Sequence, residues 1–307
     1  MDRLDALRLF TRIVELNSFS RAADMLEIPR ATATYAIQEL ESRLNTRLLE
    51  RSTRHVRPTL DGQAFYDRCV HVLSDLDDAE ASLHHVAANP RGILRVDAHG
   101  THATRILLPR INEFRSRYPN VDLVLSSGDR LVDLVREGID CVIRAGDPRD
   151  SSLVARRLAI MPQVICASPE YLADFGIPKR PSELDRHHAV KFFANSGTAD
   201  YPFELIVDGQ VRNFEMDGWL SVSDAENYVS GALRGCGLIQ LPRFHVEEEL
   251  QDGRLIEVLA KWASPEMRLS ALYPYRRQLS PRVRVFVDWV SQIYEQKFGP
   301  LPTERSS

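Results

Sequence analysis

The sequence predicts two kinds of structure within one chain: a mainly α-helical winged helix-turn-helix domain at the N-terminal end and a larger α/β domain after it. Three observations predict this division. Residues 18–59 contain two short helical patterns followed by a basic, strand-like segment. Residues 60–88 repeat apolar side chains at helical spacing, and from residue 93 short apolar strands alternate with helical patterns.

Two adjacent helices form the centre of the predicted N-terminal domain. Ser20 is placed as the N-cap of the first helix, which ends where Ile28 and Pro29 interrupt the pattern. The apolar positions of the second helix are spaced by four, three and four residues and should pack inward: Ala33, Ile37, Leu40 and Leu44. Two short helices joined by a tight turn are typical of the helix-turn-helix motif, whose second helix enters the major groove of DNA.

The outward side chains of these helices are the predicted DNA contacts. Tyr35 and Gln38 lie on the face opposite to the apolar stripe, Thr34 lies on the flank, and Arg30 lies at the N-terminal end. The expected contacts in the two helices are Ser20, Arg30, Ala31, Thr32, Thr34, Tyr35 and Gln38.

A basic segment follows once Asn45 closes the second helix. Residues 47–57 are predicted to form two short strands around a turn, which is a wing. Its arginines suit phosphates or the minor groove, and the expected contacts are Arg51, Arg54 and Arg57. The arginines alone fit a solvated basic face equally well, but beside a helix pair they favour DNA binding.

The overall composition excludes several classes of protein. The chain has 307 residues, 44% of them hydrophobic, and a net charge of −4. A non-specific nucleic-acid binder would be basic throughout, whereas this chain is basic only locally. The four cysteines show no C-x-x-C pair, which predicts reduced core thiols rather than a disulfide framework or thiolate metal site. We expect no cofactor, no membrane partner and, in the absence of a signal-peptide core, a cytoplasmic location.

A long helix is predicted after Thr59, which can cap it, and runs from Leu60 to about residue 88. Its apolar positions alternate spacings of four and three, as in a coiled coil, and the predicted dimer contacts are Phe65, Cys69, Val72, Leu76 and Leu83. The alternative is an amphipathic helix lying on its own domain. Pairing with a second copy would give two heads related by a dyad, which read the two halves of an inverted repeat.

The remaining residues are predicted to form an α/β domain. Residues 89–92 form a break and natural hinge, after which strands and helices alternate. Strands are expected at 93–98, 121–126, 139–144, 163–167, 189–193, 203–207, 237–241, 255–259 and 267–273, with a final helix that includes Trp289. This alternation implies a mainly parallel sheet.

Several segments resemble the LysR-type family of transcriptional regulators. The resemblance is carried in the head by residues 21–26 (RAADML), 33–41 and 47–54 (RLLERSTR), with Thr59 and Gly62, and it extends to about Phe298. Pro29 and Arg30 stand where the family often has Ser-Gln, and Tyr35 stands where Arg is common. These departures concern which operator is preferred, not the fold.

The resemblance implies a periplasmic-binding-protein-like (type 2) effector domain. It consists of two α/β subdomains joined by two crossing strands, with an effector cleft between them. The implied domains are 1–59 for the winged head, 60–89 for the linker helix and 90–307 for the effector domain, with subdomain I at 92–162 and 266–300 and subdomain II at 163–265. The implied assembly is a homodimer or tetramer on double-stranded DNA with an interrupted inverted repeat, with RNA polymerase as a possible partner.

Helix starts beyond strand ends are the expected places for a small ligand, because ligands of open α/β sheets bind there and helix N-termini favour anions. The resemblance places the following residues on the cleft: Gly100, Thr101, His102, Ser127, Arg144, Asn195, Ser223 and Asp224. Thr101 and His102 could hold the carboxylate of an anionic effector. His102 is favoured because a histidine at a helix start is neither a needed cap nor an expected core residue.

Each of these site interpretations has an alternative. Ser223 and Asp224 are also ordinary N-cap residues, and Arg144 can be a structural ion-pair partner of Asp147. A metal site from His99 and His102 beside Asp97 is discounted, since strand alternation places Asp97 and His99 on the same face while His102 begins another element.

Two other functions are weighed against a regulator. An enzyme with a DNA-binding appendage would need chemistry that the sequence lacks: it shows no nucleophile elbow, no glycine-rich phosphate loop after a strand and no H-E-x-x-H motif. A transport-type binding protein would fit the cleft but not the winged head. The sequence therefore predicts a regulator of transcription controlled by a small molecule.

Overall fold

The computed structural model describes residues 1–51, 56–83, 90–127, 134, 138–146, 153–193, 200–275 and 279–302. Its internal contacts divide the chain into an N-terminal unit, Met1–Ile93, and a C-terminal unit, Leu94–Ser307. None of the described helices is long and apolar enough to cross a bilayer.

The N-terminal unit is a helical bundle with a two-stranded hairpin. Its elements are α1 (Arg3–Leu16), α2 (Phe19–Met25), α3 (Arg30–Leu44), β1 (Leu49–Arg51), β2 (Val56–Pro58) and α4 (Leu60–Leu83). The two strands pair antiparallel, which is the geometry of the predicted wing. The core contains the predicted inward stripe of α3 and the small residues of α2, so α3 is held against the bundle by one face only.

The start of α2 differs from the prediction. Ser18, not Ser20, is the N-cap: its backbone is extended and its Oγ accepts a hydrogen bond of 3.3 Å from the amide of Arg21. Ser20 is the second residue of the helix and is half-buried. Both residues are good caps by type, and only the backbone conformation decides between them. At the end of α3, Asn45 is left-handed (φ 48°), as predicted.

The hairpin is tied to both neighbouring helices by side-chain hydrogen bonds. Glu41 on α3 accepts hydrogen bonds from the amides of Leu48 (2.9 Å) and Leu49 (3.0 Å) through Oε1. Thr59 Oγ1 donates to the Arg47 carbonyl (2.8 Å) and accepts from the amide of Gly62 (2.9 Å), so it caps α4 as predicted. These contacts fix the strands relative to α3 and α4.

At the N-terminal end of α4, the apolar seam packs against α1 of the same chain. Cys69 is buried in the bundle core, and Phe65 packs on Phe10 with ring centroids 5.5 Å apart. The assignment of Cys69 to a dimer contact is therefore wrong, because the first turns of α4 pack on α1 and bury it. Phe65 is only half-buried, and its role as a dimer contact stays a prediction. Val72 is 51% exposed and Leu76 is half-buried, while the side chain of Leu83 lies outside the described part.

The helices of the C-terminal unit include one run of changing geometry. Residues 100–117 begin as α5 (Gly100–His102), continue as a π-helical segment (Ala103–Leu107) and a 3-10 turn (Leu108–Arg110), and end as α6 (Ile111–Arg117). The other α-helices are α7 (Pro169–Phe175), α8 (Ala225–Leu233), α9 (Glu247–Gln251) and α10 (Pro281–Phe298), and further 3-10 turns lie at Pro181–Arg186 and Arg243–His245. The predicted helix near residue 135 lies largely outside the described residues.

Twelve strands are described in this part of the chain. They are β3 (Gly92–Ala98), β4 (Val121–Ser127), β5 (Cys141–Ala145), β6 (Leu153–Met161), β7 (Gln163–Ala167), β8 (Lys191–Phe192), β9 (Phe203–Val207), β10 (Gln210–Phe214), β11 (Ser221–Val222), β12 (Ile239–Pro242), β13 (Ile256–Val258) and β14 (Met267–Pro274). The first large sheet has the order β4-β3-β5-β14-β6, and a second sheet has the order β12-β7-β13.

The prediction of a mainly parallel sheet is wrong for the second sheet and also fails at β14 in the first sheet. β3 pairs parallel with β5, but β14 is antiparallel to β5 and β6, and β7 is antiparallel to both of its neighbours. Only Pro162 separates β6 from β7, so the chain passes from one sheet to the next without a crossover helix. β14 brings it back.

One hairpin was missed although its signal is present. β9 and β10 pair antiparallel around the two residues Asp208 and Gly209, which both have positive φ (53° and 77°). Asp-Gly between strands is the residue pair that two-residue hairpin turns prefer.

Separate cores support the two sheets. The core under the first sheet includes Phe114, Phe286 and Trp289, whereas the second sheet packs on apolar clusters of its own. Phe244, which follows β12, belongs to the core of the first sheet and so links the two halves of this unit. The four cysteines are free thiols, and burial raises the pKa of Cys69 and of Cys166 to about 12.

Candidate functional sites

The outward face of α3 is accessible along its first three turns. Ala31, Thr32 and Gln38 are exposed, Thr34 is half-buried, and the ring of Tyr35 is 69% exposed. The inward face is buried and includes Ala36, which the spacing argument did not single out. A large exposed ring and an amide on the free face of the second helix are side chains able to reach base edges.

Positive charge lies at both ends of this surface. Arg30 is 66% exposed and forms a surface ion pair of 3.5 Å with Asp24, a contact that contributes little and can be exchanged for a phosphate. Arg57 is exposed on β2 opposite Glu50, and Arg47 is exposed before β1. The side chain of Arg51 and the whole of Arg54 lie outside the described residues.

A polar network lies at the carboxyl ends of the parallel strands in the C-terminal unit. The buried carboxylate of Asp97 on β3 accepts a 2.6 Å hydrogen bond from Ser126 Oγ and pairs with Arg144 on β5. Arg144 thus forms a structural ion pair with Asp97, whereas Asp147, the partner that the alternative named, lies outside the described residues. This pair leaves the role of Arg144 as an effector contact a prediction.

The other predicted cleft residues divide into three groups. Gly100, at the start of α5, faces open space, Thr101 is buried beside it, and Ser127 is exposed at the end of β4. Asp224 is the N-cap of α8 and accepts a 2.9 Å hydrogen bond from the Asn227 amide, which is the alternative weighed for it; Ser223 before it is half-buried. Asn195 lies outside the described residues.

His102 is not available to an effector on the cleft surface, so its choice as the favoured contact is wrong. Its ring is fully buried, its Nδ1 lies 2.8 Å from the Tyr294 hydroxyl, and Phe244 packs on it at 4.9 Å. Burial, with smaller contributions from His99 and Arg144, lowers the pKa of His102 to about 3. Tyr294 supplies the polar partner that lets a histidine stay in an apolar core.

Three imidazoles meet at this point. The ring of His102 lies 5.8 Å from that of His99 and 5.9 Å from that of His245, in edge-to-face arrangements. Burial lowers the pKa of His245 well below its ordinary value, so this ring is neutral. Within the described residues no group of His, Cys, Asp or Glu side chains is arranged to hold a metal ion.

We predict an acid-sensitive contribution of His102 to stability. Its pKa is about 3 in the folded protein and about 6.5 in an unfolded chain, so only the unfolded chain takes up its proton between these values. Stability is therefore complete above pH 6.5 and falls toward pH 3, by up to about 1.4 kcal/mol per pH unit. The three tryptophans, Trp219, Trp262 and Trp289, all lie in the C-terminal unit, so their fluorescence in urea titrations measures this effect.

The variant His102→Gln, which keeps a partner for Tyr294, should show a shallower loss of stability with acid than the parent. The exposed His188 provides the control His188→Gln, which should keep the parental dependence. Equal pH slopes for all three proteins would contradict the assignment.

A cavity of about 220 Å³ opens between the start of the helical run at residue 100 and α8. The residues that line it are Thr101, Arg105, Ala225, Glu226, Val229, Ser230, Leu233 and His245. Of the predicted site residues only Thr101 is among them. Arg105 and Glu226 are not part of any motif that would have singled them out in the sequence. His245 reaches the cavity because of the 3-10 turn that follows β12, and no local sequence pattern predicts this position.

Comparison with known families covers nearly the whole chain. Residues 4–63 match the family model described as bacterial regulatory helix-turn-helix protein, lysR family. Residues 87–294 match the model described as LysR substrate binding domain.

Individual proteins agree with these matches. The chain is 40% identical to the uncharacterized HTH-type transcriptional regulator YhjC of Escherichia coli K12, over 96% of this chain and 99% of that protein. It is 37% identical to the HTH-type transcriptional repressor PA14_22550 of Pseudomonas aeruginosa, over 96% and 93%. Among solved structures, the LysR-type transcriptional regulator CrgA from Neisseria meningitidis has a TM-score of 0.60 at 30% identity, covering 96% of this chain and 99% of that one. These relatives are regulators, not enzymes, and the predicted fold class is confirmed.

Proposed function

Because the chain belongs to the LysR-type family of transcriptional regulators, we propose that it reads an interrupted inverted repeat in double-stranded DNA and that a small anionic effector alters this reading. The effector binds between the two halves of the C-terminal unit. The protein acts in the cytoplasm, where its operator lies, and RNA polymerase at the neighbouring promoter is a further partner.

The observation that carries the proposal is the exposed face of α3 beside a basic hairpin. Tyr35 and Gln38 are accessible on a helix whose opposite face is buried in the bundle. Arg30, Thr34, Tyr35 and Gln38 meet base edges or nearby phosphates. Arg51, Arg54 and Arg57 hold the backbone or the minor groove.

Selection of genomic fragments by the purified protein at near-physiological salt, followed by sequencing, tests the proposal. We expect enrichment of an interrupted inverted repeat. Binding without sequence preference that disappears as salt rises would contradict it, because phosphate contacts alone carry no sequence information.

Substitutions on α3 should separate base reading from backbone binding. Tyr35→Ala and Gln38→Ala should each weaken binding to the selected site by about 1–3 kcal/mol and relax the preference at one base position. Arg57→Ala should weaken binding to all sequences and reduce the slope of log affinity against log salt by about one. Fluorescence anisotropy with the selected site and a scrambled site measures both effects.

Ser42→Ala, further along the same exposed face, is the control for these substitutions and should bind like the parent. If Tyr35→Ala and Gln38→Ala also bind like the parent, the orientation of α3 on DNA is wrong.

Two half-sites require two copies of the chain, and we propose that the distal part of α4 pairs them. Exposed Val72 and half-buried Leu76 remain as seam positions after the first turns have packed on α1. The double variant Val72→Glu, Leu76→Glu should have the 34.9 kDa mass of a single chain in light scattering, whereas the parent has two or four times that mass.

Gln63→Glu is the control for this experiment, since Gln63 is exposed on another side of α4 and its variant should keep the parental mass. An unchanged mass in the double variant would remove the role of α4 in pairing.

A further inference from the structure

The cavity between residues 100–105 and α8 carries polar side chains whose hydrogen-bonding capacity is unused. Arg105 makes no hydrogen bond with any described residue; its one described partner is Glu249, with which it forms a long ion pair of 3.9 Å through Oε1. Arginine has five N–H donors in a planar fork, so most of this capacity is free for a carboxylate. Thr101, one helical turn before Arg105, has no hydrogen bond from its hydroxyl to the described part of the chain.

The opposite wall carries a negative charge. Glu226 lies in the first turn of α8, is exposed, and has neither an ion pair nor a hydrogen bond among the described residues. The hydroxyl of Ser230 beside it is already bonded to Arg234. The cavity therefore has on one wall a cation that makes only a long ion pair, and on the other an anion with no described partner.

The other residues that line the cavity add no charge. His245 is 5% exposed, and its Nδ1 has no hydrogen-bond partner in the described structure. Desolvation keeps this ring uncharged by lowering its pKa well below the ordinary value, so it does not add to the charge of Arg105. Ala225, Val229 and Leu233 supply aliphatic surface.

The volume of the cavity suits a small ligand. About 220 Å³ holds roughly seven water molecules at about 30 Å³ each, which is space for a molecule the size of leucine. A simple carboxylate would satisfy Arg105 and leave Glu226 facing a second negative charge across a small cavity, which is unfavourable. A ligand with both charges satisfies both walls.

We propose that this cavity binds a free α-amino acid with an apolar side chain. Its carboxylate is held by Arg105 and Thr101, its ammonium group by Glu226, and its side chain by Val229 and Leu233. The inference rests on the proposed role of the C-terminal unit in binding an effector and names the chemical class of that effector. This ligand is a zwitterion without net charge, so the inference replaces a net-anionic effector by one whose carboxylate is balanced by an ammonium group.

Calorimetric titration of the full-length protein tests the proposal with three matched probes. L-Leucine carries both charges, 4-methylpentanoate lacks the ammonium group, and 3-methylbutylamine lacks the carboxylate. We expect leucine to bind at least tenfold more tightly than either analogue. L-Methionine and L-phenylalanine serve as further amino acids of similar character.

Two variants connect the probes to the walls. Glu226→Gln should reduce leucine affinity at least tenfold and raise the affinity for 4-methylpentanoate, because it removes the negative charge that faces a simple carboxylate. Arg105→Gln should reduce the affinity for both. The controls are Glu170→Gln, which also lies in the first turn of a helix, and Arg115→Gln; both side chains are exposed and outside the cavity. Both controls should bind leucine like the parent.

Three outcomes overturn the inference: none of the three amino acids binds, 4-methylpentanoate binds as tightly as leucine, or Glu226→Gln binds leucine like the parent. The DNA selection is independent of these titrations. Selective leucine binding by a protein that enriches no repeat would leave the cavity assignment intact and contradict the regulator proposal. An enriched repeat without amino-acid binding would support the regulator proposal and contradict the cavity assignment.

Discussion

Asp140→Ala should lower the free energy of unfolding of the C-terminal unit by about 3–5 kcal/mol. One carboxylate oxygen of Asp140 lies 3.4 Å from the guanidinium of Arg282, which is 2% exposed, and the other accepts a 2.9 Å hydrogen bond from the amide of Arg95. Removing the carboxylate takes a close counter-charge from a buried cation and an acceptor from a backbone amide. Both losses are costly because water cannot replace the missing partner.

Asp122→Ala is the matched control, since Asp122 pairs with Arg115 at a similar distance, 3.4 Å, on the surface. Exposed pairs contribute about 0–1 kcal/mol, so this variant should unfold close to the parent. Urea titrations followed by tryptophan fluorescence compare the two. A difference of less than about 1 kcal/mol between them would show that burial does not set the strength of the Asp140 pair.

Gly62→Ala should destabilise the N-terminal unit by about 3 kcal/mol or more and weaken DNA binding with it. A Cβ at position 62 would lie 1.9 Å from the carbonyl oxygen of Leu48 and 2.8 Å from its carbonyl carbon. These are backbone atoms and cannot rotate away, so the first turn of α4 must separate from the strand that begins the hairpin. The Thr59 hydrogen bonds that fix the hairpin would be strained by the same movement.

Gly100→Ala is the control, because no atom lies within 4 Å of the added carbon. It should be neutral or slightly stabilising, as alanine is favoured over glycine in helices by about 0.5–1 kcal/mol. Far-UV circular dichroism reports on both units, whereas tryptophan fluorescence reports on the C-terminal unit alone. In Gly62→Ala, the circular dichroism signal should show an additional unfolding transition under milder denaturing conditions, and the tryptophan fluorescence signal should not. If both signals of Gly62→Ala instead keep the transitions of the parent protein, the predicted clash is contradicted.

The sequence by itself determined the helix pair, its buried and free faces, the wing and most strand positions. These features depend on the spacing of apolar residues within a few turns, and neighbouring residues are enough to set it. The exposed Tyr35 and Gln38 and the left-handed Asn45 follow from such spacing and local conformational preference. The missed hairpin at Asp208 and Gly209 was also within reach of local reasoning, since its turn residues announce it.

Only the tertiary structure decided which polar residues are free to bind a ligand. His102 has the type and position of an effector contact, yet it is buried and Tyr294 supplies its polar partner. Cys69 fits a dimer seam by period, yet it is buried in the bundle core. The cavity brings Arg105, Glu226 and His245 together from segments far apart in the chain. A residue that hydrogen-bonds or buries a side chain from a distant part of the sequence does not affect the spacing of residues near that side chain. The local sequence therefore cannot show which polar groups already have a partner.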